Sequence, residues 1–479
     1  MKLFVPDSCI EKYFDEISSI PRLSGHEKSI SDYIISVAKR FDLKYRTDQL
    51  YNVAVWKDAS PGYEDHDPVM LQAHTDMVGV AAPGITHDFT KDPLRLYEDD
   101  NGNIRAKDTT LGADDGYGVA YLLAAMEEDF PHPPLELVFT SQEENGCYGA
   151  RALDFSDIRS SRMIGLDVME SDIENVCCVG CYSSDRFIIG KHFGSLGSEG
   201  LTGITLDLSG VQPVRTGALV HPEQGNAIKI MARLLDRVLR NNVKVCISSI
   251  TGGEAENYNP CDCTVSLFTD DPEKLKCTIS EELDTILEEL DDGSQNISLA
   301  FSPCSKEQIC SEKDSKDIID LLYLLPSQTF EISPMDQSMI STNNIGIISL
   351  DKGDLKITGI NRAKNSGCKD GLNRRMDTLC RLLGFSYYTE TRYEPWEYMK
   401  DSRLKEITAG LMKDFYGQEM QENICPGGLE ICDFLPKRPS LDCVMFAPIG
   451  NECHSVNEWM NRASFNRVYD FLKQLLRQL

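Results

Sequence analysis

Three short apolar runs in the first third of this chain lead into side chains that a protein core does not tolerate alone. Val69 to Gln72 leads into His74, Leu135 to Thr140 into Glu143 and Glu144, and Met163 to Leu166 into Asp167. Runs of this length and apolarity are typical of strands buried on both faces. Stretches of helical spacing lie between them. Ile30, Tyr33, Ile34, Val37, Ala38 and Phe41 recur on one helical face, and Gly118 to Glu128 is mostly apolar. Ser24 to Glu27, ahead of the first helix, has the form of a capping box. Asn52 to Trp56 reads as a further strand. This alternation predicts an α/β sheet with helices on both faces.

The chain has 479 residues, too many for one ordinary core, since domains usually run about 100–200 residues. A second domain is legible where the pattern changes, from about residue 186 to 394. Strand-like pieces there (Ile204 to Leu208, Cys263 to Phe268, Leu355 to Ile360) mix with two helices, Asn226 to Leu239 and Pro272 to Leu290. That mixture suits a smaller α+β domain. Helical patterning resumes after Glu394, with Leu404 to Phe415 and Phe465 to Leu476.

Composition narrows the function. The net charge of −28 argues against nucleic acid, because a phosphate backbone needs a Lys/Arg surface. No run of about 18 apolar residues occurs, so no membrane span is expected. The N-terminus lacks the apolar core and cleavage site of a signal peptide. Seventeen cysteines without regular spacing read as reduced thiols in a cytoplasmic protein. Cys177, Cys178 and Cys181 are expected to be buried free thiols near the domain junction, since no second CxxC pairs with them.

Five stretches carry the chemistry: LQAHTDMV (71–78), TTLGADDGYG (109–118), TSQEENG (140–146), GLDVMES (165–171) and NECHS (451–455). His74 and Asp76 are two apart after a strand, so they share a face, and a carboxylate can steer an imidazole ligand. Asp114 and Asp115 lie between glycines at a strand-to-helix junction. One carboxylate there can bridge two cations, or it can cap the helix. Glu143 and Glu144 point apart on an extended segment, so one can bind metal while the other faces a water; two solvated glutamates are the alternative. Asp167 ends a buried strand and needs a cation or donors. His454, alone in its stretch, is open to a structural role. Taken together, two imidazoles and three carboxylates suit a pair of divalent ions, zinc first, cobalt or manganese next.

With these motifs, and with HDFTKDP (87–93), the sequence resembles the M20-type metallopeptidases, and within them the aminoacyl-histidine dipeptidases. The resemblance implies that His74 binds one metal and His454 the other, with Asp114 bridging. It implies that Glu144 and Asp167 each complete one ion's shell, and that Asp76 supports His74. Glu143 becomes the general base that takes a proton from a water readied by the two ions. Arg362 in KITGINR matches a family arginine that grips the substrate carboxylate, although a surface arginine is the plainer alternative. Asn257 in ENYNP and Gly428 in GGLE match family positions near the substrate. The implied fold class is α/β: a catalytic domain with a mixed sheet flanked by helices (1–185 and 395–479), split by an α+β lid and dimerisation domain (186–394). Homodimer formation and a small peptide substrate follow from the same resemblance.

The pattern breaks in the expected lid. The family has a histidine in a Gly-Gly-His-Ser-Gly stretch that helps stabilise the oxyanion. This chain has Arg215 there, in SGVQPVRTG, with His221 six residues on and Glu256 where the family tends to have arginine. Arg215 carries donors for an oxyanion but cannot shuttle a proton. A related tripeptidase, an amino-acid deacylase and a catalytically impaired peptide binder are the competing expectations.

Overall fold

A computed structural model describes residues 2–169, 171–212, 225–290, 296–305, 308–333 and 339–479. They form two compact units. The first comprises Met1–Cys181, Trp396–Cys425 and Leu429–Leu479, the second Tyr182–Pro395 and Pro426–Gly428.

In the first unit the main sheet runs, edge to edge, Lys44–Thr47, Val53–Lys57, Leu135–Thr140, Val69–His74, Arg162–Gly165, Asp442–Met445, Val176–Cys181 and Gln421–Cys425. The central four strands are parallel. Val69–His74 and Leu135–Thr140 are buried at every position, as strands covered on both faces must be. Helix Ala113–Glu127 is apolar nearly all round and buried along most of its length. Its Tyr121 hydroxyl donates to the Phe465 carbonyl at 2.6 Å, and the two rings stack at 5.2 Å. This pins the helix to the last one, Arg462–Leu476.

Parallel strands bring their carboxyl ends to one edge of the sheet, where open α/β sheets hold ligands. His74 ends its strand, and Glu143 and Asp167 follow shortly after Thr140 and Gly165. A smaller five-stranded sheet ends in the antiparallel pair Trp459–Asn461 and Gly450–Asn451. The loop between these two strands carries His454.

The expected capping box is corrected. The helix begins at Lys28, and Glu27 makes no side-chain cap. Glu27 Oε1 instead accepts the Gly25 and Gln142 amides at 2.7 and 3.2 Å, and Ser24 Oγ donates to Asp76 Oδ2 at 2.8 Å. Tertiary partners outcompete the local motif.

The second unit is an antiparallel sheet in the order Ser298–Pro303, Thr202–Ser209, Cys263–Thr269, Cys246–Gly252, Met339–Asp351, Asp354–Ala363, Ser183–His192 and Ser386–Tyr393. Helices Ala227–Arg240, Pro272–Glu289, Glu312–Leu324 and Ser366–Leu383 pack with it around a core of their own. The last two of these were not anticipated. The final one is dense in charge and buries only Lys369, Leu372, Met376 and Cys380 at three- and four-residue steps, a stripe too narrow to stand out in the sequence. Cys177, Cys178 and Cys181 are buried free thiols. Among the described residues no helix is long and apolar enough to cross a membrane.

Candidate metal centre

The first unit gathers His74, Asp114, Glu143, Glu144, Asp167 and His454. Asp114 is at the middle. Its Oδ1 lies 3.2 Å from His74 Nε2 and its Oδ2 3.2 Å from His454 Nε2. Beyond them, Asp167 Oδ1 lies 3.7 Å from His74 Nε2, and Glu144 Oε1 2.6 Å from His454 Nε2. Three sets have ligand atoms within 4.8 Å of one another: His74, Asp114 and Asp167; Asp114, Glu144 and His454; and His74, Glu143 and Glu144. Asp114 belongs to the first two.

The two aspartates divide the roles left open by the sequence. Asp115 caps the regular part of the helix, which starts after the non-helical Asp114 and Asp115, its Oδ1 accepting the Gly118 amide at 3.2 Å and its Oδ2 the His74 amide at 3.1 Å. Asp114 has non-helical backbone angles, and its side chain is left for the cluster. Asp76 does more than steer His74, whose Nδ1 is 3.5 Å away. Its carboxylate also accepts the backbone amides of Glu143 and Glu144 at 3.0 and 3.2 Å, and so fixes the direction of both glutamates.

The electrostatics fit divalent cations. Burial pushes the carboxyls of Glu143, Glu144, Asp167 and Asp115 above their ordinary range, and Asp167 or Asp114 nearby adds to the effect in each case. Burial works against both imidazolium forms, yet the carboxylates raise His74 well above its ordinary value and His454 to about 10. Glu144 Oε1 is buried with no aligned hydrogen bond despite its 2.6 Å approach to His454. That close approach without an aligned hydrogen bond is the arrangement of two ligand atoms converging on a common point. The donor set of nitrogen and oxygen with no thiolate suits zinc, cobalt or manganese.

A sequence profile of peptidase family M20/M25/M40 matches residues 70–478. The chain belongs to this peptidase family. It is a metallopeptidase, a hydrolase. It is 28% identical over 472 residues to the cytosol non-specific dipeptidase of Escherichia coli (strain K12), covering 97% of this chain and 96% of that protein. The crystal structure of aminoacylhistidine dipeptidase from Vibrio alginolyticus shares its fold, with a TM-score of 0.85 at 24% identity, over 98% of this chain and 96% of that one. A tripeptidase from Staphylococcus aureus matches with a TM-score of 0.52 at 15% identity, over 98% and 97% of the two chains.

Around this peptidase's cluster lie charged residues that the sequence did not single out. Arg22 is 1% exposed. It donates to the Thr75 and Asp76 carbonyls at 3.2 and 3.1 Å, and to the Gly112 carbonyl. Glu430 is buried beneath the strand ends, where Gln72 Nε2 and Thr140 Oγ1 donate to it at 2.6 and 2.5 Å; burial pushes its carboxyl up to about 8. Glu458 is 2% exposed and burial raises it to about 7. In sequence each reads as a surface charge. The only available signal was position: Arg22 beside Ser24 and Glu27, Glu430 in GGLE, and Glu458 four residues after His454.

Arg362, Asn257 and Gly428 belong to the second unit. Arg362 lies on the Asp354–Ala363 strand, and its Nη1 donates to the Pro426 carbonyl at 2.7 Å. That bond ties it to the segment carrying Gly428, where an added Cβ would lie 2.2 Å from the Tyr393 ring. Asn257 precedes Tyr258 in a turn, and the neighbouring Glu256 pairs with Arg186 at 2.5 Å. Arg215 and His221 lie outside the described residues.

Proposed function

We propose that this metallopeptidase is a cytoplasmic dipeptidase that works with two divalent ions, zinc first by donor chemistry, with cobalt or manganese as substitutes. The observation that carries the reading is Asp114, whose two oxygens each face a different imidazole at 3.2 Å. His74 and Asp167 would hold one ion, His454 and Glu144 the other, and Asp114 both. Bound there, the ions would supply Lewis acidity that polarises a carbonyl and lowers the pKa of a water.

The chain's own residues supply the rest. Glu143, held through its backbone amide by Asp76, is the base that takes the water's proton at a carboxylate oxygen and passes a proton to the leaving amine. The Arg362 guanidinium suits a substrate carboxylate through two parallel hydrogen bonds. Asn257 and Gly428 are proposed as substrate contacts beside it, with the second unit acting as lid and dimerisation domain of a homodimer. Kinship with a cytosol non-specific dipeptidase supports a broad dipeptide substrate.

The test is an assay of the metal-loaded protein on ordinary dipeptides, Xaa-His and carnosine-like dipeptides, tripeptides and acylated amino acids. Dipeptides are expected to be turned over fastest. Turnover confined to tripeptides or acylated amino acids would replace the dipeptidase reading. Arg215→Ala is expected to lower kcat while metal content stays at the wild-type level. Equal turnover in that variant would assign Arg215 to structure alone.

A further inference from the structure

We infer that Glu458 is a positioning residue for the metal centre: its carboxylate shapes the loop that aims Asp114 at both imidazoles. The inference rests on the metal-centre reading above and adds to it a residue outside the ligand set.

Four consecutive backbone N–H groups converge on this one side chain. Glu458 Oε2 accepts from Leu111 and Gly112 at 2.7 and 2.9 Å, and Oε1 accepts from Ala113 and Asp114 at 2.8 and 3.3 Å. Successive amides turned to one side make a nest for an anion, and buried amides left unpaired are costly. Both oxygens are engaged, so Glu458 is not itself a metal ligand. Arg22 serves the same loop from its carbonyl side, bonding to the Gly112 carbonyl and to the Thr75 and Asp76 carbonyls. It thereby ties the loop to the segment that presents His74 and Asp76. The fit is close. At Gly112, with φ +65°, an added Cβ would lie 2.7 Å from Arg22 Nη2.

Asp114 is therefore fixed on both sides. Its own amide is held by Glu458, and the next residue is held by the bonds of Asp115 to the His74 and Gly118 amides. Every hydrogen bond in this arrangement comes from the chain. The loop that carries His454 also carries Glu458, so one segment delivers a ligand and the anchor for the ligand it faces.

Glu458→Gln keeps the shape but turns one carboxylate oxygen into an NH2 group facing two amide donors. Cobalt(II) titrated into the metal-stripped protein, read by its visible absorption and by competition with a chelator, reports affinity without reference to activity. The variant is expected to bind about 10–100-fold more weakly, the range for residues that orient metal ligands. In the metal-stripped wild type, the amides of residues 111–114 are expected to resist hydrogen exchange. A folded Glu458→Gln variant with wild-type affinity and spectrum overturns the inference. Free exchange of those amides overturns it as well, and decides the matter should the variant not fold. A wild-type chain that takes up no cobalt removes the metal-centre reading itself, a failure seen before any variant is made.

Discussion

Glu143→Gln is expected to cut dipeptide turnover by about 10²–10⁴-fold, the usual contribution of a positioned acid–base group, while bound metal stays at the wild-type level. Glutamine matches glutamate in volume and keeps one acceptor oxygen. The Asp76 bond to residue 143 is to the backbone amide, so the substitution leaves that anchor in place. What is lost is the capacity to carry a proton. Burial and the Asp167 charge raise the Glu143 carboxyl above the ordinary range, which makes its carboxylate a stronger base than a solvated one. Neither set containing Asp114 includes Glu143, so the proposed ligands survive the change. Steady-state kinetics on a good dipeptide, with metal content by elemental analysis, checks both halves. Unchanged turnover would remove Glu143 as the base. Loss of metal together with activity would make it a ligand instead.

Much of this site was legible because parallel strands impose a rule. An apolar run followed by a polar side chain marks the carboxyl end of a strand, and neighbouring parallel strands bring those ends together. His74, Glu143 and Asp167 were found that way, and the strand Leu135–Thr140 has the predicted bounds. Asp114 and His454 were harder. Both sit in loops, and spacing alone could not separate a helix cap from a bridging carboxylate. The structure gives the cap to Asp115 through its bond to the Gly118 amide.

The failures have a common cause. Ser24 and Glu27 carry a local signal for a helix start, but they bond across the fold to Asp76 and the Gln142 amide. Arg22, Glu430 and Glu458 are buried charges whose partners are mainly backbone groups or residues far along the chain. Nothing local distinguishes such a residue from a solvated one. Periodicity shows which face is apolar; it carries no information about a charge that the tertiary fold encloses.

Asp114→Asn should have the broadest effect of any single change at the centre, because the carboxylate lies in two of the three converging sets. His454→Ala, by contrast, removes a residue found in only one of them. The wild type is expected to hold two divalent ions, His454→Ala one, and Asp114→Asn close to none. The amide keeps one oxygen acceptor but presents NH2 to the other imidazole, and it removes the negative charge that draws both His74 and His454 toward it. Loss of the Lewis acid costs several kcal/mol of transition-state stabilisation, on the order of 10³-fold or more in rate. Metal stoichiometry after exhaustive dialysis, measured beside turnover for all three proteins, gives the comparison. An Asp114→Asn protein that retains both ions would show that Asp114 does not bridge, and the two sets would then have to be treated as independent sites.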